Sequence, residues 1–203
     1  MNAKLSPHEL ITGVVLAGGR GQRMGGVDKG LQVFRGKPLV QHALQGLSSQ
    51  VGTVWINANR HQSDYAQWGH RVFSDGDESF AGPLSGMLAA MSHCQTPWLM
   101  SVPCDAPLMP VDLVSRLFEA AHASGADLAL PSTVREAGQV QWQTVFLLAR
   151  TELRDSLKAY LERGERKIET WIRSQNHVVL PFDDDACFAN INTHDELRSL
   201  ESP

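Results

Sequence analysis

Residues 11–29 constrain this chain more than any other stretch, because an apolar run passes directly into a loop crowded with glycines and cations. Residues 11–17 are short, β-branched at their centre and without alternation, as expected of a strand covered on both faces of a mostly parallel sheet. The run breaks at Gly18-Gly19. Together with Gly21, Gly25 and Gly26, these glycines leave backbone N–H groups free to turn inward without Cβ obstruction, and a concave row of such donors suits phosphate oxygens. Arg20, Arg23 and Lys29 supply positive charge. A glycine-rich surface loop without a ligand is the competing reading, and the three cations within ten residues weigh against it.

Two familiar glycine loops are excluded. A P-loop ends in Gly-Lys followed by a hydroxyl residue for magnesium, whereas this loop ends Asp28-Lys29-Gly30. The dinucleotide fingerprint Gly-x-Gly-x-x-Gly, started at Gly19, meets Met24 at its third glycine position.

The remainder of the chain alternates strand and helix patterns. Pro38 is expected as the first residue of a helix whose Leu39, Val40, Ala43, Leu44 and Leu47 share one face. A strand over 53–56 follows, then a short strand over 71–74. A helix over 83–91 carries Leu84, Met87, Leu88 and Met91 at i, i+3, i+4, i+7 spacing, followed by a strand over 98–102. Leu113, Val114, Leu117, Phe118 and Ala121 mark the next helix, and 128–130 the next strand. Residues 134–142 suggest a hairpin or loop excursion, with a strand returning over 144–149. Helices over 153–161 and 167–174, a strand over 178–180 and a short strand over 188–192 complete the pattern. Thr193-His194-Asp195-Glu196 has the form of a capping box opening a last helix, while residues 1–10 read as a loose leader. The alternation predicts a three-layer α/β fold, with a mostly parallel central sheet and helices on both faces.

At 203 residues and 42% hydrophobic content, the chain supports one substantial core, hence a single domain. A net charge of −4 leaves no basic field for a nucleic-acid backbone, so a polyanionic partner should be small. Cys94, Cys104 and Cys187 make an odd count without a C-x-x-C pair, which favours a reduced, cytoplasmic setting over a disulfide framework. The first ten residues lack an apolar signal core, and no apolar run approaches a membrane span. The histidines form no H-x-x-x-H or H-E-x-x-H pattern, and Cys104, without a nearby histidine, reads as a small buried residue. Packing is the default role of the tryptophans.

In an open parallel sheet, ligands gather beyond the carboxyl ends of the strands. The residues in those places are the glycine loop, Asn57, Asp75 and Asp105. A carboxylate such as Asp105, ending an apolar strand opposite a cationic loop, can hold magnesium, which usually takes one or two carboxylates plus substrate phosphates. A turn former or helix cap before Pro107 is the alternative.

Leu16, Ala17, Gly18, Gly19, Arg23, Met24, Gly25, Asp28 and Lys29 resemble the Leu-Ala-Gly-Gly-x-Gly-x-Arg-Met-Gly loop and following Asp-Lys of the nucleotidyltransferases. The likeness is greatest to the molybdenum cofactor guanylyltransferases. It extends to Asn57-Ala58-Asn59-Arg60-His61, Gly82-Pro83-Leu84-Ser85-Gly86-Met87 and Pro103-Cys104-Asp105. The resemblance implies a Rossmann-like nucleotidyltransferase fold, with a nucleotide-binding half at about 11–107 and a pterin-side half at about 108–203. It implies GMP transfer from GTP to the terminal phosphate of molybdopterin, with magnesium as cofactor. Cofactor-insertion proteins or molybdoenzyme chaperones would be its protein partners. The nucleotide would be bound by Leu16, Ala17, Gly18, Gly19, Lys29, Asn57, Asp75 and Asp105, with Asn190 and Asn192 near nucleotide and pterin. Lys29, Arg23 and Asp105 would carry catalysis, with Asp105 the metal ligand. For Asn190 and Asn192, backbone capping at a strand end is the alternative. Trp142-Gln143-Thr144 departs from the His-Pro or Gln-Pro that commonly precedes this threonine. A CTP- or sugar-phosphate-specific relative and a non-catalytic pterin or GTP carrier remain as alternatives.

Overall fold

A computed structural model of the chain describes residues 7–18, 28–76, 82–135, 138–191 and 196. Gly19, Arg20, Arg23, Asn192, the first six residues and most of the expected capping box lie outside the described residues.

Most strands lie on the expected apolar runs, whereas the short strands Val33–Phe34 and Lys37–Pro38 are not among those expected. In chain order the strands are β1 (Ile11–Leu16), β2 (Val33–Phe34), β3 (Lys37–Pro38), β4 (Thr53–Asn57) and β5 (Arg71–Phe73), then β6 (Trp98–Pro103), β7 (Leu128–Val134), β8 (Val140–Trp142), β9 (Leu147–Arg150) and β10 (His177–Pro181). The helices are α1 (Pro7–Leu10), α2 (Leu39–Ser48), α3 (Gln62–Ala66), α4 (Pro83–His93), α5 (Leu113–Ser124), α6 (Arg154–Glu162) and α7 (Ile168–Arg173). Among the described residues the main sheet runs β10-β7-β9-β6-β1-β4-β5, with β8 paired to β7, and β2 and β3 form a separate ribbon. Neighbours β6, β1, β4 and β5 are parallel, and β9 runs antiparallel to both β6 and β7.

Successive residues of the central strands serve opposite faces. Val15 packs beneath α2 and α5 with Leu44, Leu47, Leu117 and Phe118, whereas Val14 packs beneath α4 and α6 with Met87, Met91, Leu157 and Leu161. Two apolar layers on one sheet explain why β1 shows no polar alternation. Pro83 opens α4 at a position where its missing N–H is no loss. Gly125, at φ 68°, closes α5, with the Ala126 N–H returning to the Ala121 carbonyl at 3.0 Å.

Several expectations are corrected. Pro38 belongs to the β2–β3 ribbon and caps α2, which starts at Leu39, because the Leu39 N–H donates to the Gln32 carbonyl. The strand expected over 144–149 is confined to Leu147–Arg150, following a turn in which the Phe146 N–H returns to the Gln143 carbonyl. No strand occupies 188–191. A 3₁₀ turn spans Asp185–Phe188, and the Ile191 N–H bonds the Asp105 carbonyl at 2.9 Å instead of joining a ladder. Part of the expected leader is helical, at Pro7–Leu10, and is tied down by the Gly52 N–H on the His8 carbonyl. The hairpin expected over 134–142 forms between β7 and β8.

Candidate active site

The strand register gathers the expected residues without further assumption. Leu16 is level with Asn57 on one side and Pro103 on the other, and Asn57 is level with Phe73, so four parallel strands end in one row. Two residues beyond that row come Gly18, Asn59, Asp75 and Asp105. The chain runs outward from β1 through β4 to β5, then crosses back to β6 on the other side of β1. The crevice at this reversal of order is where open α/β sheets bind ligands.

Main-chain bonds hold the strand ends in place. The Ala17 N–H donates to the Asn57 carbonyl at 2.8 Å, and the Cys104 N–H donates to the Leu16 carbonyl at 3.2 Å. Asn57 is 2% exposed, and its Nδ2 donates to Asp75 Oδ1 at 2.7 Å. Asn59 completes the clamp: its Nδ2 donates to Asp75 Oδ2 at 2.9 Å, and the Asp75 N–H donates to its Oδ1 at 3.0 Å. Both Asp75 oxygens thus have fixed donors, which hold the carboxylate in one orientation beside the end of β4. A Cβ on Gly18 would lie 3.1 Å from Asn59 Nδ2 and 3.3 Å from Asn57 Oδ1, so the start of the glycine loop passes tightly over the two asparagines.

On the other side of β1, Lys29 opens a 3₁₀ turn (Lys29–Leu31), and its Nζ lies 3.4 Å from Asp105 Oδ2. Their side chains are 22% and 15% exposed, so the pair is sheltered yet open to a ligand. Burial raises the Asp105 carboxyl above its ordinary range, against the lowering influence of Lys29. Burial, reinforced by Asp105 and Asp28, pushes the Cys104 thiol well above its usual range. Cys104 is therefore the buried neutral residue expected of it, without nucleophilic character.

Asn190 is exposed and directly precedes Ile191, whose N–H bonds the Asp105 carbonyl. A cleft of about 470 Å³ adjoins Asp75, lined also by Ser74, Ser85, Leu88, Arg154 and Lys158. A second cleft, of about 430 Å³, lies at the opposite edge by Thr53 and Arg71, away from these residues. In the second half, Thr133 donates to Asp185, and Gln143 Nε2 donates to Thr133 Oγ1 at 3.0 Å. Gln143, part of the Trp142-Gln143-Thr144 departure from the familial pattern, thus belongs to a polar network with Thr133 and Asp185.

Sequence reasoning missed Asn59 and Tyr65. Asn59 stands two residues beyond Asn57, a spacing that repeats the side of the strand, and this could have found it. Tyr65, whose hydroxyl donates to Asp28 Oδ1, carries no such signal.

Among the described residues no group of three His, Cys, Asp or Glu could by itself hold a metal ion. Asp105 instead suits an ion that completes its shell with phosphate oxygens, as magnesium does. No described helix is long and apolar enough to cross a membrane.

Residues 13–178 match the MobA-like NTP transferase domain. The chain is 53% identical over 192 residues to the molybdenum cofactor guanylyltransferase of Cupriavidus necator, covering 95% of this chain and 96% of that one. It is 52% identical over 198 residues to the enzyme of the same name from Ralstonia nicotianae, covering 96% and 97%. Its fold resembles that of molybdopterin-guanine dinucleotide biosynthesis protein A from Archaeoglobus fulgidus, with a TM-score of 0.76 at 22% identity over 94% of this chain and 96% of that one.

Proposed function

The chain belongs to the MobA-like NTP transferase family, and on that premise we propose that it transfers GMP from GTP to the terminal phosphate of molybdopterin, releasing pyrophosphate. The observation that carries this reading is the convergence, on one sheet edge, of a clamped carboxylate, which we assign to the base, and a sheltered cation, which we assign to the phosphates. Asp75 is held by Asn57 and Asn59 on one side of β1, and Lys29 pairs with Asp105 on the other. A fixed carboxylate is complementary to the adjacent N1–H and N2–H donors of guanine, which adenine and cytosine do not present in that pattern.

The nucleophile in this reading is the substrate's own phosphate oxygen. It attacks the α-phosphorus of GTP, the bond from that phosphorus to the bridging oxygen breaks, and the electron pair leaves with pyrophosphate. No protein nucleophile is needed, and the buried neutral Cys104 offers none. Two phosphorylated substrates repel each other, so the work left to the protein is orientation and charge neutralisation. Lys29 offers its ammonium to the charge that grows on the phosphates. Arg23, outside the described residues, is assigned the same task, and Gly19 and Asn192, also outside them, the nucleotide-contacting roles that the family resemblance implies. Leu16, Ala17 and Gly18 are assigned to the nucleotide end of the crevice, and Asn190 to a place near nucleotide and pterin, as the family resemblance implies. Magnesium, held by Asp105 together with nucleotide phosphate oxygens, would neutralise phosphate charge there. We assign residues from about 11–107 to the nucleotide side and from about 108–203 to the pterin side of one domain. The second half would receive the pterin across β9 and the Thr133, Gln143 and Asp185 network.

The test is a panel of GTP, ATP and CTP with molybdopterin and magnesium, scored by dinucleotide product. GTP should be preferred by orders of magnitude, because a wrong base leaves buried polar groups unpaired. Equal turnover with CTP would reassign the chain to a cytidylyl specificity, and nucleotide binding without pyrophosphate release would make it a carrier.

A further inference from the structure

Lys29 has Asp105 beside it in space and Asp28 beside it in the chain, and the fold treats the two carboxylates differently. Asp105 reaches it across the site. Asp28, its neighbour in the chain, is 8% exposed and directs Oδ1 inward, accepting the Gly30 N–H at 3.1 Å and the Tyr65 hydroxyl at 2.5 Å. Tyr65 is fully buried on α3, so a tertiary contact sets the direction of the Asp28 side chain. Space for the hydroxyl exists because residue 30 is glycine: a Cβ there would lie 2.4 Å from the Tyr65 oxygen. Burial, together with Cys104 and Asp28, raises the Tyr65 hydroxyl far above its ordinary pKa, so it remains a donor.

We propose that Tyr65 is a positioning residue for nucleotidyl transfer, its hydroxyl holding Asp28 turned inward so that the Lys29 ammonium serves the Asp105 edge and the nucleotide phosphates. A hydroxyl bonded to a carboxylate is a strong, charge-assisted contact, and a buried carboxylate deprived of it must find another partner. Lys29 is the cation next to Asp28 in the chain, nearer along the backbone than Arg60, whose charge is felt at the Tyr65 hydroxyl. Without the Tyr65 hydroxyl, Asp28 turns toward Lys29 and neutralises the charge that the transition state requires. This inference rests on the proposed role of Lys29 at the phosphates.

The experiment uses the full chain with GTP, molybdopterin and magnesium. Tyr65→Phe should lower kcat about tenfold or more while the KM for GTP changes less than about threefold, the mark of an interaction realised in the transition state. Adding Asp28→Asn to Tyr65→Phe should recover most of the lost kcat, because the amide oxygen still caps the Gly30 N–H but carries no charge for Lys29. A Tyr65→Phe protein that melts earlier yet turns over within about twofold of wild type would overturn the inference, as would a double variant that recovers nothing. A substrate-free readout separates this inference from the proposed reaction. The NMR shifts of the Lys29 side chain should move in Tyr65→Phe and return in the double variant, whether or not the wild type forms product. Unmoved shifts would end the inference, whereas a wild type that forms no dinucleotide would end the proposed function.

Discussion

Gly86 and Asn57 touch so closely that the helix can carry no side chain at that point: a Cβ on Gly86 would lie 2.3 Å from Asn57 Oδ1 and 2.9 Å from Leu16 Cδ2. A glycine inside a helix ordinarily costs about 1 kcal/mol relative to alanine. Here it is what allows α4 to lie against the end of β4 and press Asn57 toward Asp75.

Gly86→Ala should therefore break the usual rule. Helix propensity favours the alanine, but Asn57 is buried and bonded to Asp75, so it cannot yield without moving the carboxylate proposed to meet the base. The thermal midpoint should fall instead of rising, and the KM for GTP should rise about tenfold, on the scale of one lost binding contact. Calorimetry and steady-state kinetics on the same preparation check both.

Asp105→Asn should separate stability from activity. Burial raises the folded-state pKa of Asp105 above its unfolded value. Its favourable contribution is therefore complete below the unfolded pKa and is lost as pH rises through the folded one. The ligand-free fold therefore tolerates this carboxyl better protonated than ionised. In the presence of a chelator, the asparagine variant should melt at the same temperature or higher at pH 7, with its advantage shrinking toward acid. Transfer should fall by about two orders of magnitude or more, and raised magnesium should restore part of it. A lower melting point with near-normal turnover would make Asp105 a turn former.

Lys29→Ala should reduce kcat more than it raises the KM for GTP, if the ammonium meets charge that grows only on the way to the transition state. A change confined to KM would assign it to ground-state binding. Because Lys29 pairs with Asp105, the double variant with Asp105→Asn should lose less than the product of the two single losses.

Ser85→Ala should stabilise the ligand-free protein. Ser85 is 3% exposed, and its Oγ has no hydrogen-bond partner among the described residues. An unsatisfied buried hydroxyl costs about 1–3 kcal/mol, and alanine is also the better helix former. Chemical denaturation should show a higher midpoint at unchanged slope. A lower midpoint would mean that the hydroxyl has a partner in solution.

Much of this was legible in the chain itself. The apolar run of β1, the break at Gly18 and the periodicity of α2, α4 and α5 are properties of neighbouring residues, and local sterics together with two-faced burial are enough to impose them. Because parallel strands deliver their carboxyl ends to one edge, the strand pattern also placed Asn57, Asp75 and Asp105 in a common crevice. The familial motifs added which chemistry the crevice serves.

Tertiary structure decided what each of these side chains does. Asp75 is clamped by residues 16 and 18 positions earlier, Lys29 meets a carboxylate 76 residues away, and Tyr65 reaches back 37 residues to turn Asp28 inward. No local pattern encodes such pairings, because they follow from the order β5-β4-β1-β6 in the sheet. The expected strand is absent over its described residues, 188–191, for the same reason. Its residues suit a ladder, but the Ile191 N–H finds its acceptor at the Asp105 carbonyl, and a buried donor takes the partner that the assembled fold presents.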